Sequence, residues 1–186
     1  MKIILASKSP RRRELLSQLY AVFNIETVEV DEMLPEGMHP REGVAALAVR
    51  KGEPIAARNP DALVISSDTL VELDDSPLGK PTSEAHAKEM LRSLSGNTHR
   101  VHTGVAVHYR GKCLFGTATT SVTFRTLTEG EISDYVASGE PMDKAGAYGI
   151  QGLAGAFVDS YDGDFDTVVG LSMSLLRRLC EEITND

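Results

Sequence analysis

Residues suited to gripping an anion cluster in Ala6-Ser7-Lys8-Ser9-Pro10-Arg11-Arg12-Arg13-Glu14-Leu15-Leu16. The stretch follows the apolar run Ile3-Ile4-Leu5, so it reads as a strand, a hydroxyl-rich turn and a helix beginning at Pro10. Ser9 is placed to cap that helix. A helix start offers unpaired backbone N–H groups and the positive end of the helix dipole. Ser7 and Ser9 add hydroxyls, and Arg11 and Arg12 add forked cations whose geometry suits phosphate. Arginines in a first turn work against the helix dipole, so their charge serves either a ligand or a plain solvated face. On this stretch alone both readings stand.

Carboxylates supply the other half of the chemistry. Asp31-Glu32 ends an alternating run, Asp68-Thr69 follows the apolar run Ala62-Leu63-Val64-Ile65-Ser66-Ser67, and Lys80 lies in Gly79-Lys80-Pro81. Open α/β sheets place ligands at strand ends. A hard divalent cation needs one or two carboxylates plus substrate oxygens, so the set points to metal-assisted chemistry on a phosphoanhydride. Each piece also has an ordinary reading as a turn, a cap or a solvated loop. Gly79-Lys80 is not a P-loop, because Asp74 stands where the leading glycine belongs and Pro81 replaces the hydroxyl residue. No Gly-x-Ser-x-Gly elbow is present, and the histidines lack paired-ligand spacing and read as structural or exposed. Tyr148 and Gln151 lie in a glycine-rich stretch that lets backbone approach a ligand, and a Gln amide matches the donor–acceptor edge of a base.

The elements that must carry these residues follow from periodicity. The sequence predicts a helix from Pro10 to about Leu19 and a strand from Phe23 to Val30. Pro40 to about Asn59 reads as a helix that Pro54 should kink or end. Ala62 to Ser67 reads as a buried parallel strand delivering Asp68 at its C-terminal end, with Leu70 to Leu73 extended and a turn at Asp74–Pro77. Ser83 to Leu94 is helical. Arg100–Tyr109 and Lys112–Arg125 form a long hairpin about Arg110-Gly111. Thr128 and Glu131 make a capping box for a helix to Ser138 that Gly139 stops. A short strand, Ala156–Ser160, precedes the turn at Asp162–Asp164, and a last amphipathic helix runs from Ser172 or Ser174 to Ile183. Strands alternating with helices around a long antiparallel insert predict a mixed α/β sheet.

The chain has 186 residues and a net charge of −8. Such acidity argues against broad nucleic-acid or membrane-surface binding and turns the local arginine cluster toward a small anionic ligand. Hydropathy predicts no membrane span and no secretory signal. Cys113 and Cys180 are far apart in no metal-like spacing, which fits a reducing, cytoplasmic setting.

Taken in order, these motifs resemble the Maf family of nucleoside triphosphate pyrophosphatases. The resemblance is carried by Ser7-x-Ser9-Pro10-Arg11-Arg12, Asp31-Glu32, Ser67-Asp68-Thr69, Gly79-Lys80-Pro81, Leu94-Ser95-Gly96-x-x-His99-x-Val101-x-Thr103, Ser138-Gly139-Glu140-x-x-Asp143-Lys144-Ala145-Gly146-Ala147-Tyr148-Gly149-Ile150-Gln151-Gly152 and Val168-Val169-Gly170-Leu171. It implies one catalytic domain over residues 1–186 with an ITPase-like α/β fold. In that fold an elongated mixed sheet is flanked by helices, and two lobes enclose a central cleft. It implies a cytoplasmic house-cleaning enzyme, expected as a homodimer. The implied reaction cleaves a nucleoside triphosphate between its α and β phosphates with Mg²⁺ or Mn²⁺. By resemblance Asp68 is the proton acceptor and, with Glu32, the metal ligand; Lys80 is catalytic; Ser7, Arg11, Arg12 and Lys51 contact phosphates. The combination Arg12, Thr69 and Gln151 is similar to the dTTP/UTP branch, with CTP or modified uridine triphosphates as further substrates; the 7-methyl-GTP branch carries an aromatic, a Gln and a Glu there. Ser172 departs from the family's Pro, and Gly52 and Pro54 depart from its Ala-rich helix. The alternative is a non-catalytic nucleotide-binding module linked to cell division or septum formation.

Overall fold

The structure is a computed structural model and describes residues 1–185. Seven strands form one mixed sheet: β1 (Ile3–Leu5), β2 (Asn24–Ile25), β3 (Leu63–Leu73), β4 (Ser76–Leu78), β5 (Thr98–Tyr109), β6 (Lys112–Phe124) and β7 (Val158–Asp162). Their order is β2-β1-β3-β5-β6-β7, with β4 paired to β3. The β1–β2 and β1–β3 pairings are parallel and the rest antiparallel. Six helices flank the sheet: α1 (Pro10–Ser17), α2 (Pro40–Arg58), α3 (Glu84–Leu94), α4 (Glu129–Ala137), α5 (Phe165–Val169) and α6 (Met173–Asn185).

Alternation along the strands builds two apolar layers. Leu5, Leu63, Ile65, Val101, Val105 and Val107 join one cluster with residues of α1, α3, α4 and α6. Ile4, Ala6 and Val64 face the other way and pack with Ile55 of α2. Burial on both faces explains why β1 and the first half of β3 are continuously apolar. α2 lies very close to the sheet, because a Cβ on Gly104 of β5 would collide with the Val44 carbonyl.

β3 controls the site. Its first half pairs with β1 over Leu63–Ile65, and its last residues pair with β4 over Val71–Leu73. Between them neither strand covers that edge of β3, and this opening holds Asp68. β5 runs unbroken along the other edge, from Val64↔His108 to Glu72↔Arg100.

Several expectations hold. Ser9 caps α1 by accepting from Arg12 N, the Thr128–Glu131 capping box is closed, and Arg110-Gly111 makes the hairpin turn. Others are corrected. Asp68 is not at a strand end; β3 continues through it because β5 supplies a full ladder of partners. The strand expected over Phe23–Val30 is only Asn24–Ile25, since its neighbour β1 is three residues long and offers nothing further to pair with. Pro54 does not end α2, because buried residues on both sides of it, Leu47, Ala48 and Ile55, hold the helix to the sheet. That packing outweighs the roughly 3 kcal/mol penalty of an interior proline. β7 starts two residues later than expected, and the short helix α5 was not anticipated. Ser172 accepts from Leu175 N and starts α6.

Candidate active site

The opening beside β3 forms a cleft of about 460 Å³, a size suited to a small-molecule ligand. Arg11, Arg12, Lys51, Asp68, Thr69, Lys80 and Gln151 all line it. The lining is strongly cationic, with Lys8, Arg11, Arg12, Lys51, Lys80 and Lys144. The cleft also carries apolar surface from Val71, Val101, Tyr148, Ile150, Val168 and Val169. Lys8, Asp143 and Lys144 also line it, although no periodicity marks them in the sequence; the glycine-rich run around Asp143 and Lys144 is the only signal.

Asp68 lies on the face of β3 that α2 covers, and Lys51 of α2 reaches it. Lys51 Nζ is 3.0 Å from Asp68 Oδ1 and 2.8 Å from Glu32 Oε1. One ammonium therefore joins two carboxylates from separate segments. The Glu32 carboxyl is held below its ordinary pKa, first by the hydrogen bond from Lys51, against the opposing effect of burial. Glu32 stands outside the cleft lining with its side chain 57% exposed, whereas Asp68 is 14% exposed.

Arg12 bridges the opening. Its Nε donates to the Gly170 carbonyl (2.8 Å) and its Nη1 to the Ser67 carbonyl (2.7 Å). Nη1 also reaches Ser7 Oγ at 3.5 Å and Nη2 reaches Thr69 Oγ1 at 3.4 Å; Nη2 lies 3.9 Å from Asp68. Burial lowers the Arg12 pKa, partly opposed by the Asp68 charge. Most of its donors are committed to the protein. Arg11 and Lys80 line the cleft with no hydrogen bond or ion pair among the described residues. Ser7, only 8% exposed, is not in the lining; its hydroxyl accepts from Ser9 N and Arg12. Thr69 is tied to Thr103, whose hydroxyl lies 2.9 Å away.

Tyr148 is buried, its hydroxyl 2.6 Å from His99 Nε2. Gln151 is exposed on a loop between two short 3-10 turns, Ala145–Ala147 and Leu153–Phe157, and its amide has no hydrogen bond among the described residues.

A second group able to receive a cation is His39, Glu72 and Asp75, whose ligand atoms lie within 4.8 Å of one another. Four residues of strand separate Glu72 from Asp68, about 13 Å. Glu72 already has partners: Arg100 Nη1 at 2.6 Å and His102 Nε2 at 2.7 Å.

No helix is long and apolar enough to cross a membrane among the described residues. Several known proteins are similar to the chain. One named dTTP/UTP pyrophosphatase from Bacillus cereus (strain AH820) is 48% identical, over all of this chain and 97% of that protein. Another of that name from Bacillus mycoides (strain KBAB4) is 47% identical over the same shares. Among solved structures, a HAM1 protein from Coxiella burnetii aligns over 100% of both chains at 15% identity and a TM-score of 0.50, a likeness of fold. The sequence model for "Maf-like protein" matches residues 2–183, and with those relatives it shows that the chain belongs to the Maf-like protein family.

Proposed function

We propose that this Maf-like nucleoside triphosphate pyrophosphatase hydrolyses dTTP and UTP, releasing the nucleoside monophosphate and pyrophosphate. The single observation that carries the site assignment is the Lys51 ammonium in contact with both Glu32 and Asp68 beside a cationic cleft. The substrate assignment draws on the names of the relatives, which are 47–48% identical over the whole chain. One continuous sheet from β2 to β7 supports reading residues 1–186 as one catalytic domain.

Glu32 and Asp68 are the residues that would hold Mg²⁺ or Mn²⁺. Their oxygens already converge on one positive charge, the ammonium of Lys51, so the donor set fits a hard cation. Such an ion supplies Lewis-acid polarisation of the phosphate and a more acidic water. Asp68 accepts the proton of the attacking water as its oxygen bonds to the α-phosphorus. The bond from that phosphorus to the oxygen bridging to the β-phosphate breaks, and pyrophosphate leaves. Arg11, Lys80 and Lys51 offset the charge that grows on the phosphate oxygens. Arg12 contributes field and, bonded to Ser7 and to the Ser67 carbonyl, fixes the start of α1, next to Arg11. The base lies against the apolar part of the lining, where the unpaired Gln151 amide meets the carbonyl and N–H of uracil or thymine, and Thr69 and Arg12 of the same cleft complete its selection. CTP and modified uridine triphosphates are further candidates for the same cleft.

The reading extends to a cytoplasmic homodimer that binds neither nucleic acid nor membrane; free Cys113 and Cys180 fit a reducing compartment. Sedimentation tests the dimer. Pyrophosphate release from dTTP and UTP with Mg²⁺ or Mn²⁺, scored beside 7-methyl-GTP, tests the reaction. Turnover of 7-methyl-GTP alone overturns the base assignment. Tight nucleotide binding with no pyrophosphate released would instead indicate the binding-module alternative.

A further inference from the structure

We propose that Glu140 is a positioning residue for base selection: its carboxylate fastens the loop that presents Gln151 to the cleft. The inference rests on the reading of Gln151 as the base contact. Glu140 follows α4 and opens the 3-10 turn Glu140–Asp143. Its Oε1 accepts from the Tyr135 hydroxyl (3.1 Å) and its Oε2 accepts from Leu153 N (3.2 Å). The same Tyr135 oxygen accepts from Gly149 N (3.3 Å). A phenol–carboxylate pair thus grips the loop at 149 and again at 153, on either side of Gln151.

Gly152 shows how close the grip is. A Cβ there would collide with the Glu140 carboxylate, so the loop backbone lies directly against it. Glu140 also ties down a second lining residue, since its carbonyl accepts from Lys144 Nζ (2.6 Å). Tyr135 is 3% exposed, and burial holds its hydroxyl protonated well above the usual range, so it remains a donor. Glu140 is not itself in the cleft lining, and both its oxygens are engaged. It therefore acts through the loop.

A neutral amide distinguishes bases only when its carrier is fixed. Uracil and cytosine differ in which edge atom donates and which accepts, and a Gln on a loose loop can serve either. Loosening the loop should cost discrimination rather than chemistry.

The test measures kcat and KM for UTP and CTP in the wild type, Glu140→Ala, Glu140→Gln, Gln151→Ala and Glu140→Ala/Gln151→Ala. Glu140→Ala should lower the UTP-to-CTP ratio of kcat/KM by about tenfold, mainly through the KM for UTP. The double variant should lose no more than Gln151→Ala alone. Glu140→Gln keeps the shape but can accept from only one of the two donors, so it should fall between. If Glu140→Ala does not fold, Tyr135→Phe removes the hydroxyl that joins Gly149 to Glu140 and should shift the ratio in the same direction. Equal losses on UTP and CTP, or additive losses in the double variant, overturn the positioning role. A wild-type ratio near one, or a Gln151→Ala ratio equal to wild type, overturns the reading of Gln151 instead.

Discussion

Asp68 and Glu72 lie on one face of one strand, under one helix, and end in opposite circumstances. Asp68 meets Lys51 of α2 at the edge of β3 that neither β1 nor β4 covers. Glu72 meets His39 at the start of α2, but there β4 has closed the edge and Arg100 and His102 of β5 hold both carboxylate oxygens. Its side chain is 1% exposed, against 14% for Asp68. A carboxylate with a cation is thus not a site by itself. What separates the two is whether the sheet edge beside them is open.

Four measurements would break or sharpen that contrast. The largest effect is expected at Asp68. Asp68→Asn should cut pyrophosphate release by about 10³-fold, as removal of a proton acceptor does, with the melting temperature unchanged or raised. Retention of a tenth of the activity would show that Asp68 is as structural as Glu72. Glu72→Gln should do the reverse. It leaves a buried position facing Arg100 and His102 without its charge and costs about 3 kcal/mol in denaturant unfolding, with kcat within about twofold of wild type. A large kcat loss in folded protein would erase the distinction.

The third measurement concerns pH. Burial lowers His102 below its ordinary pKa and takes His99 down to about 4. The unfolded chain binds protons at pH 5 to 6.5 that the folded chain refuses, so stability is fully present above about pH 6.5 and falls on acidification. His99 alone should account for about 2 kcal/mol of loss by pH 5. His99→Gln should flatten the unfolding free energy across that window; an unchanged slope would show that the buried imidazole does not govern it. Glu72, also held below its ordinary value because hydrogen bonds from His102 and Arg100 overcome the effect of burial, loses its contribution only as pH falls below about 4.5. The smallest effect belongs to Arg11. Arg11→Ala should raise the KM for UTP by about tenfold, about 1.4 kcal/mol, with stability unaltered, and a change in melting temperature would contradict its reading as a ligand contact.

The sequence was most legible where structure is local. Ser9 before Pro10, the Thr128–Glu131 box and Arg110-Gly111 each satisfy their own neighbourhood, and each is found as expected. Lys51 could be placed on a helix but not against Asp68, because that pairing depends on how α2 crosses β3. The extent of β2 depends on the short partner beside it, and the continuation of β3 past Asp68 depends on β5, far along the chain. Motif order brought Arg11, Arg12, Lys51, Asp68, Thr69, Lys80 and Gln151 to one cleft. It did not reveal that the Ser7 hydroxyl accepts from Ser9 N and Arg12, or that Glu72 is a satisfied carboxylate. α5 carries two valines before a glycine, which favours no helix; the Met173 N–H held by Asp166 and the Ser174–Asp164 bond fix the turn around it through tertiary contacts.

Adjacent arginines here belong to different trades. Arg12 joins the Ser67 and Gly170 carbonyls, which lie 103 positions apart along the chain, and so works as a rivet between early and late segments. Its replacement would alter the frame and the ligand surface at once, and a loss of turnover could not be apportioned between them. Arg11 carries no such duty. A change at position 11 can therefore alter how an anion is held without touching the frame, whereas a change at position 12 must also replace the two carbonyl contacts that Arg12 makes.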